Sequence, residues 1–430
     1  MTNSPERPTR TAWTGWTPVG GLPLPGEPAS PDHRISFVLR LGHSLHTSGY
    51  AAHRLEEALE LASDQLGLRG QFFSTPTSIM ASFGPQDDQQ TFLIRVDPGD
   101  SNLGKLAQAD EVTREVLNGV LTPLEGATRL EVIEAAPPTY PTWLNTAAFA
   151  VVSGSAARFL GGGWQEVLAG LAIGLVIGLL AIAARRIDSL GRVFEPVAAL
   201  TASLLAAGMA AAGFPLSVFL ATLAGVIVLI PGLMLTTAMT ELSTRHLASG
   251  TARFMGALVL LLGIAFGIAL GTKIATLAFG TIPSAAVRPL PEWTLYLSLL
   301  ISPLAFVVLL KAEPRDAGWI VLAGALSFTG AHYGQRVLGL ELGAFGGALV
   351  TGFFSNWYAR VTDRPAQITM VPGLLLLVPG SVGLQALASF VDSQTETGVG
   401  TAFRMVLIAV SLVAGTLIAN IVSPRRKLLT

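Results

Sequence analysis

The sequence predicts a polytopic α-helical membrane protein: about ten transmembrane helices as a 5+5 inverted repeat, preceded by a small α+β cytoplasmic domain. Three observations carry this. First, the chain is 51% hydrophobic and only 13% charged, with mean hydropathy +0.57 and 46 glycines, outside the range of ordinary soluble domains. Second, the composition divides near residue 140. Polar, charge-bearing segments lie before it, and apolar segments long enough to cross about 30 Å of hydrocarbon lie after it. Third, a block is doubled. IPGLML (Ile230 to Leu235) precedes a helix opening at Gly250-Thr251-Ala252, and VPGLLLLVPGS (Val371 to Ser381) precedes one opening at Gly400-Thr401-Ala402. The Pro-Gly pairs lie 141 residues apart (231 to 372) and the Gly-Thr-Ala triplets 150 apart (250 to 400). Gly178, Leu180 and Glu195 recur 146 residues on, as Gly324, Leu326 and Glu341. Anchors recurring in one order mark an internal repeat.

Residues 1–30 hold Pro, Gly, Thr and charges but no apolar core, so a disordered leader is expected and not a signal peptide. Residues 31–138 form the α+β domain. His33 to Leu66 has helical periodicity, divided at Ser48-Gly49 and stopped by Gly67. Gln71 to Phe83 and Thr91 to Val96 are β-rich runs joined as a hairpin through Gly84 to Asp88, with Pro76 at an edge or bulge. Ser101 to Leu121 and Pro123 to Ile133 read as helices, and Pro137, Pro138 and Pro141 stiffen the connector. Repeat 1 then covers 139–280 and repeat 2 covers 290–424. The candidate spans are 143–160, 164–184, 195–212, 216–235, 252–278, 294–310, 318–338, 342–359, 367–387 and 401–422.

Lys and Arg set the orientation. With the α+β domain inside, the inner connections hold Arg185, Arg186, Arg192, Arg245, Arg253, Lys311, Arg315, Arg360, Arg364, Arg425, Arg426 and Lys427. The outer ones hold Arg288 and Arg336. Twelve against two places both termini in the cytoplasm of a multi-pass inner-membrane protein. Five spans per repeat is an odd number, so the second copy enters from the opposite side, as in many secondary transporters.

Prolines at 231, 372 and 379 should unwind or kink their helices, and lipid tolerates such breaks only where they are buried or line a cavity. Helix ends at the breaks offer amides to a carboxylate and carbonyls to an ammonium group, as an amino-acid zwitterion requires. The candidate substrate residues are Pro231, Gly232, Thr236, Thr237, Pro372, Gly373, Pro379, Gly380 and Ser381. Intramembrane ionisable residues are proton-relay candidates, which selects Glu195, Glu241, Arg253, Glu341 and His332 for coupling or gating; a span-end position would make them merely interfacial. In the α+β domain, His43 and His46 are spaced i, i+3, with His53, Glu56, Glu57 and Asp64 nearby. The polar face of an amphipathic helix explains them as well, since no complete catalytic motif accompanies them.

The chain resembles the threonine/serine exporters. The resemblance rests on IPGLMLTTAMTELSTRHLASGTAR (Ile230 to Arg253), LLKAEPRDAGWIVLAGALSFTGAHYG (Leu309 to Gly334), VPGLLLLVPGS, and SGYAAHRLEEALELASDQLGL (Ser48 to Leu68) followed by FFSTPTSIMASFG. It runs from about residue 33 to 422, with both membrane halves in one chain, and departs from the family pattern at Glu241, where aspartate is expected. It implies proton-driven export of threonine and serine.

The expected function is therefore a secondary transporter and not an enzyme, with lipid, protons and a small amino acid as partners; a homo-oligomer stays open. The alternatives are a carrier of another small metabolite, such as a dicarboxylate or small peptide, and a membrane-anchored hydrolase using the N-terminal His cluster. No cofactor or metal is expected. The chain has no Cys, which excludes thiol chemistry, and its net charge of −1 suggests no nucleic-acid partner. It carries no Walker A motif for an ATP-driven pump.

Overall fold

The structure, a computed structural model, describes residues 31–97, 99, 101–281, 285–377, 382 and 395–423. The expected leader, Pro379, Gly380, Ser381 and the basic cluster Arg425, Arg426 and Lys427 lie outside the described residues.

The N-terminal unit runs α1 (Pro31–Thr47), α2 (Ala52–Gln65), β1 (Gly70–Thr75), β2 (Ser78–Phe83), β3 (Gln90–Arg95), α3 (Leu103–Leu117) and α4 (Pro123–Ala135). The strands form an antiparallel sheet in the order β1-β2-β3. The run from Gln71 to Phe83, expected as one strand with Pro76 at its edge or on a bulge, is two strands folded back at Pro76-Thr77. Proline has no amide for the ladder and its fixed φ suits a turn, so the chain reverses there. Thr122 and Glu125 form a capping box that starts α4 at Pro123. One face of the sheet buries Ile79, Ala81, Phe83 and Ile94 on Leu41, Leu55 and Leu59. That core does not close upon itself. It continues into Val307, Leu310, Ala312, Ile320, Tyr358 and Ile368 of the later helices.

Those helices are α5 (Thr142–Phe159), α6 (Trp164–Arg186), the short α7 (Asp188–Gly191), α8 (Phe194–Ala211), α9 (Val218–Val226), α10 (Gly232–Ser243) and α11 (Leu247–Phe279). After them come α12 (Trp293–Leu309), α13 (Ala317–Leu338), α14 (Leu340–Thr362), α15 (Gln367–Leu375) and α16 (Thr395–Val422). Among the described residues, α6, α8, α11 and the Phe403–Val422 part of α16 are each long and apolar enough to cross a membrane, and α9 with α10 qualifies as one bent pair. The protein is thus a mostly helical membrane protein. Its interior is built from small residues: Ala198, Ala199, Ala202 and Ala206 of α8 are completely buried, which lets backbones approach closely where lipid supplies no hydrophobic drive.

The helices contact one another in matched sets. The helix α8 packs on α11 and α14 packs on α16; α9 touches α6 and α8 while α15 touches α13 and α14. The helix α5 packs on α12, and α10 meets α15 and α16. At one end of this assembly the α10–α11, α12–α13 and α14–α15 connections all meet the N-terminal unit, through Glu241 and His246, Lys311 and Glu313, and Asp363. At the other end, the Ala285 amide donates to the Leu216 carbonyl (3.1 Å) and Arg158 Nε to Thr294 Oγ1 (2.7 Å).

Candidate functional site

The helix α9 gives way to a single 3₁₀ turn at Ile227–Leu229, and α10 restarts at Gly232, bent by 57° from the preceding segment. Pro231 causes the break, because it lacks an amide and its ring clashes with the turn before it. It occupies the N-cap position of α10 and supplies no side-chain cap. The first-turn amides of Leu233 and Met234 therefore point out of an uncapped, dipole-positive helix end within an apolar segment. The Thr236 hydroxyl donates to the Gly232 carbonyl (3.1 Å) and the Thr240 hydroxyl to that of Thr236 (2.9 Å), so both are engaged by their own helix. The hydroxyl of Thr237, half-buried, has no hydrogen-bond partner among the described residues. Leu235 packs with Ala257 and Leu261 of α11 and with Met405 of α16.

The second Pro-Gly pair is arranged differently. Pro372 was expected to unwind or kink its helix; it does not unwind it, and lies inside α15, which continues to Leu375. A proline forbids one backbone bond, and here packing overrides that loss. Met370 and Leu374 are buried among Ala344, Ala348 and Leu412, and the Gly373 carbonyl accepts a hydrogen bond from Ser327 Oγ (2.7 Å). By its neighbours, α15 matches α9, the half-helix before the break. In sequence, a further Pro-Gly pair, Pro379-Gly380, lies 148 residues beyond Pro231-Gly232 (231 to 379), close to the 150-residue spacing of Gly-Thr-Ala.

Of the ionisable candidates, the structure brings Glu241 and Arg253 together. Glu241 is fully buried near the end of α10. Its Oε1 accepts from Arg253 Nε (3.0 Å) and from the backbone amide of Ala52 at the start of α2 (2.9 Å), and its Oε2 accepts from Ser249 Oγ (2.9 Å). Glu195 is the second residue of α8 and half-buried, and Glu341 is the second residue of α14. His332 lies exposed on α13, its ring stacked on Phe328 with centroids 6.0 Å apart. Among the described residues, no hydrogen bond or ion pair joins Glu195 or His332 to the Glu241 group.

The N-terminal histidines do not converge on one site. His43 Nδ1 pairs with Glu134 (3.1 Å), whereas His46 Nε2 is buried against the Thr75 carbonyl (2.9 Å). His53 instead approaches His246 of the α10–α11 link, with ring centroids 5.9 Å apart, and His246 Nε2 lies 3.2 Å from Glu56 Oε2. Burial, reinforced by the charges of Arg54, His246 and Arg253, pushes His53 down to about 3, so its ring is neutral. Burial likewise lowers His46. Sequence reading missed His246, Ser249 and the Ala52 amide. His246 and Ser249 stood within the quoted motif, while a backbone amide leaves no signature in sequence.

A buried acid also sits at each end of the helix assembly. Glu166 accepts from the Gly163 amide through Oε2 and from the Ser217 amide through Oε1, both at 2.8 Å, tying the start of α6 to the start of α9. Asp316, just before α13, accepts from Tyr358 Oη (2.9 Å) and pairs with Arg364 (3.2 Å), shortly before α15 begins.

Residues 36–275 match the family model for a threonine/serine exporter, and residues 296–422 match a second, described as threonine/serine exporter, ThrE. Over 415 residues the chain is 26% identical to the pheromone-regulated membrane protein 10 of Eremothecium gossypii, covering 90% of this chain and 56% of that protein. It is 29% identical over 374 residues to the protein of that name in Saccharomyces cerevisiae, covering 82% and 47% respectively. An uncharacterized protein of Schizosaccharomyces pombe is 25% identical over 381 residues, covering 83% and 44%. The chain spans about half the length of these curated relatives. No solved structure matches it.

Proposed function

The chain belongs to the threonine/serine exporter family, and on that premise we propose that it is a proton-coupled secondary transporter exporting threonine and serine across the inner membrane by alternating access. The single observation that carries this reading is the uncapped start of α10 at the 57° break, laid beside α15 and α16 of the second half. Amides there suit the substrate carboxylate, and the Thr237 hydroxyl suits a substrate hydroxyl.

A ten-helix inverted repeat is supported by the packing. Helices first in each half (α5 and α12) touch each other, and α10, part of the fourth span of the first half, touches α15 of the fourth span of the second. A two-fold axis in the membrane plane makes the α5–α12 contact self-matching and brings the two fourth spans together. Glu166 and Asp316 support it too, performing similar tethering jobs at opposite ends. The N-terminal unit meets three connections that carry the Lys and Arg excess, which supports cytoplasmic termini. In this reading the substrate sits between Pro231-Gly232 with Thr236 and Thr237 on one side and the Pro372 to Ser381 segment on the other. Glu195, Glu241, Arg253, Glu341 and His332 are the groups to test for coupling or gating.

Counterflow in proteoliposomes with a panel of labelled amino acids tests the proposal. Threonine and serine should exchange and respond to an imposed proton gradient. Exchange confined to other solutes would overturn the substrate assignment.

A further inference from the structure

The N-terminal unit grips the two halves of the membrane assembly in different ways. Its hold on the second half is broad and apolar, because the two share a core through Val307, Leu310, Ala312, Ile320, Tyr358 and Ile368. Backbone reinforces it: the Leu103 and Gly104 amides at the start of α3 donate to the Leu310 and Lys311 carbonyls at the end of α12, at 2.9 and 3.1 Å. Each helix end satisfies the other's orphan groups. The hold on the first half is narrow and polar. It includes the Ala52 amide on Glu241, Glu56 on His246 and the ring of His53 beside that of His246, with β1 beside α11.

The position of Glu241 makes that narrow contact matter. It lies ten residues beyond Pro231 (231 to 241), near the C-terminal end of the helix whose N-terminal end opens at the break. A carboxylate there opposes the helix dipole and depends on outside donors. One of those donors belongs to the N-terminal unit. The start of α2 has the converse need, since Ala51 at its N-cap makes no side-chain cap. Glu241 provides that cap from 189 residues away. Each partner therefore loses something on separation, and the bond tethers α10 to a unit that is built onto the other half.

We propose that Glu241 is a positioning residue: its bond to the Ala52 amide is the releasable latch through which the N-terminal unit sets the angle of α10 about Pro231. The consequence for transport rests on the transporter reading above. Rocking of one half against the other carries the N-terminal unit with the second half, so the latch closes in one access state and opens in the other.

The test uses the full chain, which has no native Cys, with nitroxide labels at Glu60 of α2 and Ser243 of α10. A second pair, Glu60 and Arg315, reports the unit against the other half. Ala52→Pro removes the donor at the first position of α2, where proline is tolerated, and Ala51 is already extended (φ −71°, ψ 145°) as a residue before proline must be. Ala52→Ser, which keeps the amide, is the control, and Glu241→Gln removes the charge without touching the N-terminal unit. The latch predicts that Ala52→Pro and Glu241→Gln lengthen or broaden the 60–243 distances and leave 60–315 unchanged. The equilibrium between docked and undocked should shift about ten- to a hundredfold, as for one charge-assisted hydrogen bond. The reactivity of a cysteine at Thr237 should shift with it. Unchanged 60–243 distances in both variants would overturn the latch. Neither readout needs a substrate, so a latch that opens in a protein showing no counterflow counts against the transport reading alone.

Discussion

The amide of Gly104 donates to the carbonyl of Lys311 at 3.1 Å, and a Cβ built on Gly104 would stand 2.6 Å from that same oxygen. The start of α3 can sit on the end of α12 only because this position carries no side chain. Gly104→Ala is therefore expected to pry the N-terminal unit from the second half, at a cost of about 1–3 kcal/mol as for other overpacked sites. Hydrogen exchange across 103–117 measures it. Protection equal to wild type there would mean that the contact is not made.

Asp110 of α3 is buried, with one carboxylate oxygen on Arg114 Nε (3.1 Å) and the other without a partner. Burial pushes its carboxyl up to about 7, against the pull of Arg114. The folded value lies above the ordinary 3.8, so the folded state holds the extra proton. Its contribution to stability is full below about pH 3.8 and is lost as pH rises through about 7. Asp110→Asn should raise the melting temperature at pH 8 relative to wild type by more than it does at pH 5. Equal shifts at both pH values would show that the carboxyl is already ionised at pH 5.

His53 acts with the opposite sign. Its folded value, about 3, lies below the ordinary 6.5, so its contribution is present above pH 6.5 and is lost as pH falls toward 3. Between pH 7.5 and 5.5 this amounts to about 1–2 kcal/mol, at 1.36 kcal/mol per pH unit once below the ordinary value. His53→Gln should flatten that acid limb of a stability profile. A limb of unchanged slope would assign the acid sensitivity to another group.

Sequence made some of these features legible and hid others for physical reasons. The Pro231-Gly232 break could be read directly, because proline acts on its own helix whatever surrounds it. Glu241 and Arg253 stood out as ionisable residues within or near spans, and twelve residues of helix and turn bring them together (241 to 253). Pro372 does not unwind its helix, because the packing of Met370 and Leu374 holds α15 through the lost bond. Pro76 misled in the other direction: the β-branched run around it looked continuous, and the turn it makes is local backbone chemistry outweighing strand propensity. The partner of Glu241 in the N-terminal unit could not be read at all. The Ala52 amide is backbone, and only tertiary structure brings it to a residue 189 positions away.

Orientation is open to direct labelling. Arg185 at the end of α6 and Arg360 at the end of α14 are exposed and belong to the basic connections, whereas Ala212 is exposed at the opposite end of α8 from Arg192. Single cysteines at 185 and 360 should react with an impermeant maleimide only in inside-out vesicles, and one at 212 only in right-side-out vesicles. Reaction of all three from one face would dismantle the alternating topology.

Selectivity tests the site itself. Thr236 and Thr240 give their hydroxyl protons to carbonyls of their own helix, so of the three threonines of α10 after the break and before Glu241, Thr237 has the hydroxyl left to meet a ligand among the described residues. A pocket that pairs a substrate hydroxyl rejects the analogue lacking it, because its polar group would be left buried and unsatisfied. Threonine and serine should accordingly exchange faster than valine and alanine. Thr237→Val keeps the shape of the side chain and removes the oxygen. It should cut the preference for threonine over valine by about tenfold, the worth of one hydrogen bond of roughly 1.4 kcal/mol. Thermal stability should stay close to wild type, since the hydroxyl bonds nothing among the described residues. Competition counterflow with the two amino acids in one vesicle preparation reads the ratio directly. A ratio unchanged in Thr237→Val, with transport intact, would move hydroxyl recognition away from the start of α10.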